Sequence, residues 1–398
     1  MIGVFFFGLA FLLLVWNVYF AFCWDKNIVV AFRFLQQYVY AGEQAQMTEC
    51  VENGKKLPLP ILEVAFHVDK GLSFLDCENT NVSDYTYKRD IFALLGNQRI
   101  IRNLVLQCPK RGFYRIEETD LTTFSLLHER RFSAEYPADA QMYVYAARTD
   151  VSDIMSACER LMGNVQCAKR LFEDPFAFAS IREYTLTDPM KAINWKASAR
   201  TGELMVNTWE STLTEKAMLY LDLEDRGILK QESLIEESIS IAACLAQKMT
   251  GRGMEVGICV NVEHRAAETA GTDYTYLSPA AGKRQLNSIE QMLARYKNED
   301  KVLPFAGFLN ELTNRVNATG AAGSANPASP ASLAGAAGPE EDTVMIFISK
   351  NAVENAAAIE EYVGKTRQAI WVIPYPKNEE CRIACKDNIR LVKREVAD

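Results

Sequence analysis

The sequence predicts a membrane-anchored α+β multidomain chain: an N-terminal transmembrane helix, a β-rich sandwich-like domain and a C-terminal α/β domain. Three observations predict it. Met1 to Trp24 carries no charged residue; Asn27 to about Arg115 is strand-like; and strands alternate with helices from Lys216 onward.

The first segment reads MIGVFFFGLAFLLLVWNVYFAFCW. As a helix it would be about 36 Å long, enough for a hydrocarbon core of about 30 Å. Trp16, Tyr19 and Trp24 crowd its C-terminal end as interfacial aromatics do. A signal peptide would want a basic start and a small-residue cleavage site, and neither is evident. Lys26 and Arg33 follow the span and no Lys or Arg precedes it. That bias places a single-pass protein in the cell membrane with its soluble body in the cytoplasm. The lipid bilayer is then one partner, met through 1–24.

Residues 25–142 form the expected β-rich domain. Ile28 to Tyr40 is rich in Val, Phe and Tyr, and Ala41-Gly42-Glu43 reads as a turn. Gln44 to Glu52 is a second run, closed by Asn53-Gly54 as a hairpin signal. Leu62, Val64, Phe66 and Val68 share one face of the next strand. Arg102 to Gln107 and Gly112 to Ile116 complete the pattern.

Residues 143–215 read as a connecting region. Ile154, Cys158, Leu161 and Met162 have helical spacing. The segment Arg182 to Leu204 then concentrates polar side chains without matching any common nucleotide, metal or nucleophile motif.

Residues 216–398 carry the α/β pattern. Met218 to Leu223 is an apolar run, followed by an amphipathic helix from Leu234 to Met249 that Gly251 and Gly253 end. Val256 to Val262, Val344 to Ser349 and Ala369 to Ile373 read as strands. Leu286 to Leu293, Phe308 to Leu312 and Val353 to Val363 read as helices. This alternation predicts a mostly parallel sheet covered on both faces. Residues 316–341 interrupt it with small residues, Pro and Gly, which cannot order themselves by burial.

Composition narrows the function. A net charge of -8 gives no footprint for nucleic acid. The 10 cysteines are scattered, and the Cys381/Cys385 pair lacks a second pair to complete a zinc site. Free thiols fit a reducing compartment. Ser198 has no histidine near it in sequence, and Gly251-Arg252-Gly253 is too short for a phosphate loop.

The chain resembles the domain-of-unknown-function 58 family. The matching pieces are Arg111-Gly112-Phe113-Tyr114, Asp174-Pro175-Phe176, Arg182-Glu183-Tyr184, Asp188, and Ile193-Asn194-Trp195-Lys196-Ala197-Ser198-Ala199-Arg200, completed by Gly202-Glu203-Leu204. The resemblance implies a von Willebrand factor A-like C-terminal domain. It also implies work beside a MoxR-type AAA+ ATPase and other membrane proteins. Metal-binding domains of that type carry Asp-x-Ser-x-Ser after the first strand, whereas this chain has Asp222-Leu223-Glu224-Asp225-Arg226. Asp222, Glu224 and Asp225 are therefore weak metal candidates, and no cofactor is expected.

The expected function is a non-enzymatic membrane-anchored adaptor or scaffold. The alternative is a membrane-bound hydrolase or a metal-dependent protein-binding module. Within the signature, Glu183, Asp188 and Glu203 are expected to neutralise Arg182, Lys196 and Arg200. Trp195 is expected to pack at a domain junction or, with Arg200, to form a docking surface.

Overall fold

The computed structural model describes the chain apart from residues 1, 76–79, 83–84, 126–129, 170–177, 186–187, 189, 210–214, 227–230, 264–274, 322–342, 365–366, 378–382, 384 and 397–398. The chain divides into two units: residues 1–148 with 290–299, and residues 149–289 with 300–398.

In the first unit, helix α1 (Ile2–Cys23) precedes β1 (Ile28–Phe34), β2 (Tyr38–Tyr40), β3 (Gln44–Asn53), β4 (Leu59–Asp69) and β5 (Ser73–Phe74). Then come β6 (Thr80–Val82), β7 (Tyr85–Leu94), β8 (Gln98–Gln107), β9 (Gly112–Phe124) and β10 (Arg131–Tyr145). They form two sheets, ordered β1-β3-β8-β5 and β2-β10-β9-β4-β7-β6. Inward residues of both sheets share one core, with Phe32 of β1 and Phe66 of β4 at 4.6 Å between ring centroids. Asn53-Gly54 does not make the expected hairpin, because β3 pairs with β1 and β8 while β4 lies in the other sheet. The Asn53 amide instead donates to the Leu57 and Leu95 carbonyls at 2.9 and 3.0 Å.

Among the described residues no helix is long and apolar enough to cross a membrane. This overturns the expected transmembrane anchor over 1–24, and with it the single-pass placement in the cell membrane and the orientation inferred from it. The physical reason lies at the end of α1. Phe20 and Trp24 are only 3% and 5% exposed, built into the sandwich core beside Phe132. The Lys55 ammonium donates to the Trp24 and Lys26 carbonyls, and the Tyr136 hydroxyl donates to Asp25 O. The last turn of α1 is occupied by protein packing.

The sandwich core also encloses charge. Glu49 of β3 stands opposite Arg102 of β8, and Lys88 and Asp90 come from β7 in the other sheet. Arg102 and Lys88 pair with Asp90 at 2.7 and 3.9 Å. Neither Glu49 oxygen has a hydrogen-bond partner among the described residues. Burial, and then the Asp90 charge, push the Glu49 carboxyl up to about 8.

In the second unit, α2 (Ser152–Lys169) is followed by β11 (Phe178–Glu183), a 3-10 turn (Met190–Ala192), α3 (Trp195–Thr201) and β12 (Met205–Trp209). Next come β13 (Lys216–Leu221), α4 (Glu232–Gly251), β14 (Glu255–Val260), β15 (Thr275–Ala280) and α5 (Lys283–Arg295), whose last residues belong to the first unit. The chain ends with α6 (Phe305–Ala321), β16 (Thr343–Ile348), α7 (Ala352–Val363), β17 (Ala369–Pro376) and β18 (Ile389–Val396). Strands β13, β14, β16, β17 and β18 run parallel, in the order β15-β14-β13-β16-β17-β18 with β15 antiparallel at the edge. Every residue from Ala217 to Leu221 is buried, as a strand covered on both faces requires. Helices α2 and α4 pack on the sheet, and Phe305 and Phe308 of α6 with Tyr362 of α7 complete the core around Tyr220, Phe347 and Trp371. Helix α6 runs on to Ala321, so the expected 316–341 insertion begins inside a helix, and its remainder from 322 lies outside the described residues.

Glu49 gives the sandwich a pH dependence. Its folded value lies above the unfolded one, so its stabilising contribution is complete below about pH 4.5 and is lost as pH rises towards 8. Between pH 5 and 8.5 the linkage is roughly 4 kcal/mol, so the melting temperature should fall by roughly 8–16 °C. Glu49→Gln, which removes the titrating carboxyl, should flatten that slope in scanning calorimetry.

Candidate functional site

In doubly wound sheets, ligands bind at the carboxyl ends of the strands where the strand order reverses. Here that point lies where β13 meets β16, and Asp222 follows β13 there. Its backbone N–H donates to Ile348 O at 2.9 Å, and the residue is 1% exposed. Oδ1 accepts from the Glu224 N–H and the Asn261 amide, both at 2.9 Å. Oδ2 accepts from the Ser349 hydroxyl at 2.7 Å and from the Asn355 and Asn351 amides at 2.9 and 3.2 Å. All five donors are neutral. Burial pushes the Asp222 carboxyl above the usual range, against the opposing pull of the Ser349 and Glu224 hydrogen bonds.

The other two acids turn to different partners. Glu224 takes a two-pronged contact from Arg226 at 2.6 and 2.8 Å and accepts the Phe305 N–H at 3.0 Å, near the start of α6. Asp225 pairs with the nearly buried Lys350 at 2.7 Å and accepts the Gln231 N–H at 2.8 Å ahead of α4. A hard divalent ion needs converging oxygens with free lone pairs. Asp222 has its lone pairs filled by protein donors, and Glu224 and Asp225 are neutralised by fixed cations. The three acids do not fit a divalent metal, and among the described residues no cluster of three or more His, Cys, Asp or Glu does.

The Arg182 to Leu204 signature folds as a small module. β11 pairs antiparallel with β12, and α3 lies in the connection. The Arg182 guanidinium grips both Asp188 oxygens at 2.6 and 2.7 Å, and Thr185 donates to the same carboxylate. These contacts hold Asp188 well below the usual carboxylate range. The Asn194 side chain accepts the Ala197 N–H at 3.0 Å, capping α3, while its amide donates to Asn207 at 2.7 Å. Ser198 Oγ donates to Asn194 O at 2.8 Å and accepts the Met205 N–H at 2.9 Å, stapling α3 to β12. Gly202, at φ 79, closes the helix in the left-handed conformation. Tyr184 N–H donates to Leu204 O.

Sequence reasoning expected wider pairing than this. Of the three acids meant to neutralise the signature cations, Asp188 does so, for Arg182. Lys196, Arg200, Glu183 and Glu203 are all exposed. Trp195 is 65% exposed. Asp174 and Pro175 lie outside the described residues.

The Arg111-Gly112-Phe113-Tyr114 piece serves the first unit. Arg111 is 9% exposed and donates to the Leu293 and Tyr296 carbonyls at 2.7 and 2.8 Å, satisfying the C-terminal end of α5. The Tyr114 hydroxyl donates to Lys110 O at 2.9 Å. A Cβ on Gly112 or Gly71 would stand 2.9 or 2.0 Å from that side chain. The residues that sequence reasoning missed are Asn261, Ser349, Asn351 and Asn355, which converge on Asp222 from far along the chain. Asn and Ser just beyond apolar strands could have signalled Asn261, Ser349 and Asn351, whereas Asn355 lies inside α7.

Asp222→Asn should cost about 3 kcal/mol in urea unfolding of the second unit, because an amide NH₂ would face donors. Asn194→Ala should cost about 1–2 kcal/mol locally, read as faster hydrogen exchange at Ala197 with the main unfolding transition unmoved.

No curated protein matches the chain. Among solved structures, a CARDB domain from Pyrococcus furiosus is 14% identical, covering 28% of this chain and 93% of that one at a TM-score of 0.19. Domains of the major pilin SpaD from Corynebacterium diphtheriae are 8% identical, covering 27% of this chain and 49% of that one at 0.20. A non-cellulosomal cohesin from Archaeoglobus fulgidus is 8% identical, covering 32% and 96% at 0.20. Residues 180–307, which hold the signature module, Asp222 and Asn261, match the family described as protein of unknown function DUF58.

Proposed function

We propose that the chain is a non-catalytic scaffold that binds protein partners, built around a von Willebrand factor A-like domain that works without a metal. One observation carries this reading: the Asp222 carboxylate, at the sheet's ligand-binding position, is filled by five neutral protein donors. A group so saturated has no lone pair to offer a cation, a water or a substrate proton. The strand order, with one antiparallel edge, supports the domain assignment. The signature module supports the non-catalytic reading, since Arg182, Asp188, Asn194 and Ser198 bond within the module. The resemblance to the domain-of-unknown-function 58 family points to a MoxR-type AAA+ ATPase as partner.

The reading is tested with the purified chain. Calorimetric titration with Mg²⁺, Mn²⁺ and Ca²⁺ should give no saturable heat. Mixing with a MoxR-type AAA+ ATPase from the same organism should give a complex that survives gel filtration. Saturable metal binding abolished by Asp222→Ala, or no complex in any nucleotide state, would overturn it.

A further inference from the structure

The signature module keeps one face unused. On α3, helical spacing puts Trp195, Lys196, Ala199 and Arg200 within one arc, away from Asn194 and Ser198, which bond towards β12. All four are exposed, and Trp195 is 65% exposed. Ala199 lies one turn beyond Trp195. Met190 and Lys191 of the preceding turn are exposed too. Helix α3 carries two cations and no acid.

We propose that this face of α3 docks an acidic segment of a partner protein, with an apolar anchor residue against Trp195 and carboxylates on Lys196 and Arg200. The inference rests on the scaffold reading above and names the chemistry of the partner it needs. Charge complementarity selects the occupant. Arg200 presents a planar fork suited to a carboxylate, Lys196 adds a point charge, and exposed Trp with Arg is the residue pairing that dominates binding hot spots. A nucleic acid is the less suited polyanion, because the chain as a whole carries -8.

The test selects random 12-residue peptides on phage against the whole purified chain. Enriched sequences should carry two or more Asp or Glu beside a Phe, Leu or Trp. Binding of a synthesised winner, followed by fluorescence anisotropy, should weaken at least tenfold with Trp195→Ala and with Arg200→Glu. Both variants should melt with the parent. A peptide with Lys in place of its acids should bind the Lys196→Glu/Arg200→Glu chain better than it binds the parent. Failure to enrich any sequence would overturn the proposal. So would winners indifferent to both substitutions, no rescue by charge exchange, or tighter binding of an oligonucleotide at the same residues. An ATPase complex that forms while the selection fails removes this surface and leaves the scaffold reading standing.

Discussion

The architecture of the second unit converges on one buried carboxylate. Asp222 follows β13, and its donors come from beyond β14 through Asn261, from beyond β16 through Ser349 and Asn351, and from α7 through Asn355. An unpaired carboxylate at 1% exposure would be heavily penalised, so every donor must arrive in register. The need for that register fixes how the loops leave the sheet. Asn261 extends the tie by donating to Leu303 O, ahead of α6, while Asn351 reaches Glu224 O. Buried amides replace the charge that a cation would otherwise supply, and they do so with directional bonds that specify a single arrangement.

Different physical signals made different parts legible in advance. Helix α4 was readable because Leu234, Ile235, Ile239, Ala242, Leu245 and Met249 repeat with helical period and are all buried. The strand β4 was readable from the alternation of Leu62, Val64, Phe66 and Val68. Strand β7 escaped because its core-facing positions include Lys88 and Asp90, which break the apolar alternation that marks a strand. Strand β10 escaped because its first half alternates half-buried with exposed residues and contains Pro137. The Asn53-Gly54 signal was real as local chemistry but misleading as topology, since a change of sheet can use the same turn residues as a hairpin. The apolar α1 segment read as an anchor from composition alone, and composition does not show that Phe20 and Trp24 have a protein core to enter.

The candidate site was half legible. Asp222 stood out after its strand, yet its meaning depends on partners up to 133 residues away, which no local pattern reveals. The signature was conspicuous as a concentration of polar residues, and several of them prove to be joinery. Asn194 caps a helix, Ser198 staples it to a strand, and Arg182 clasps Asp188. A short two-stranded ribbon has little apolar surface to hold it, so polar closure stands in for a core. What that closure leaves over is the outer face of α3.

Tyr114 carries a consequence for genetics. Its ring lies in the space left by two glycines from separate parts of the sandwich, Gly71 and Gly112. At either glycine a single methyl group would collide with an aromatic side chain held by its hydroxyl on Lys110 O. Such collisions destabilise a fold without touching any surface a partner sees. These two codons are therefore where temperature-sensitive alleles of the gene would be sought, separating loss of the sandwich from loss of recognition.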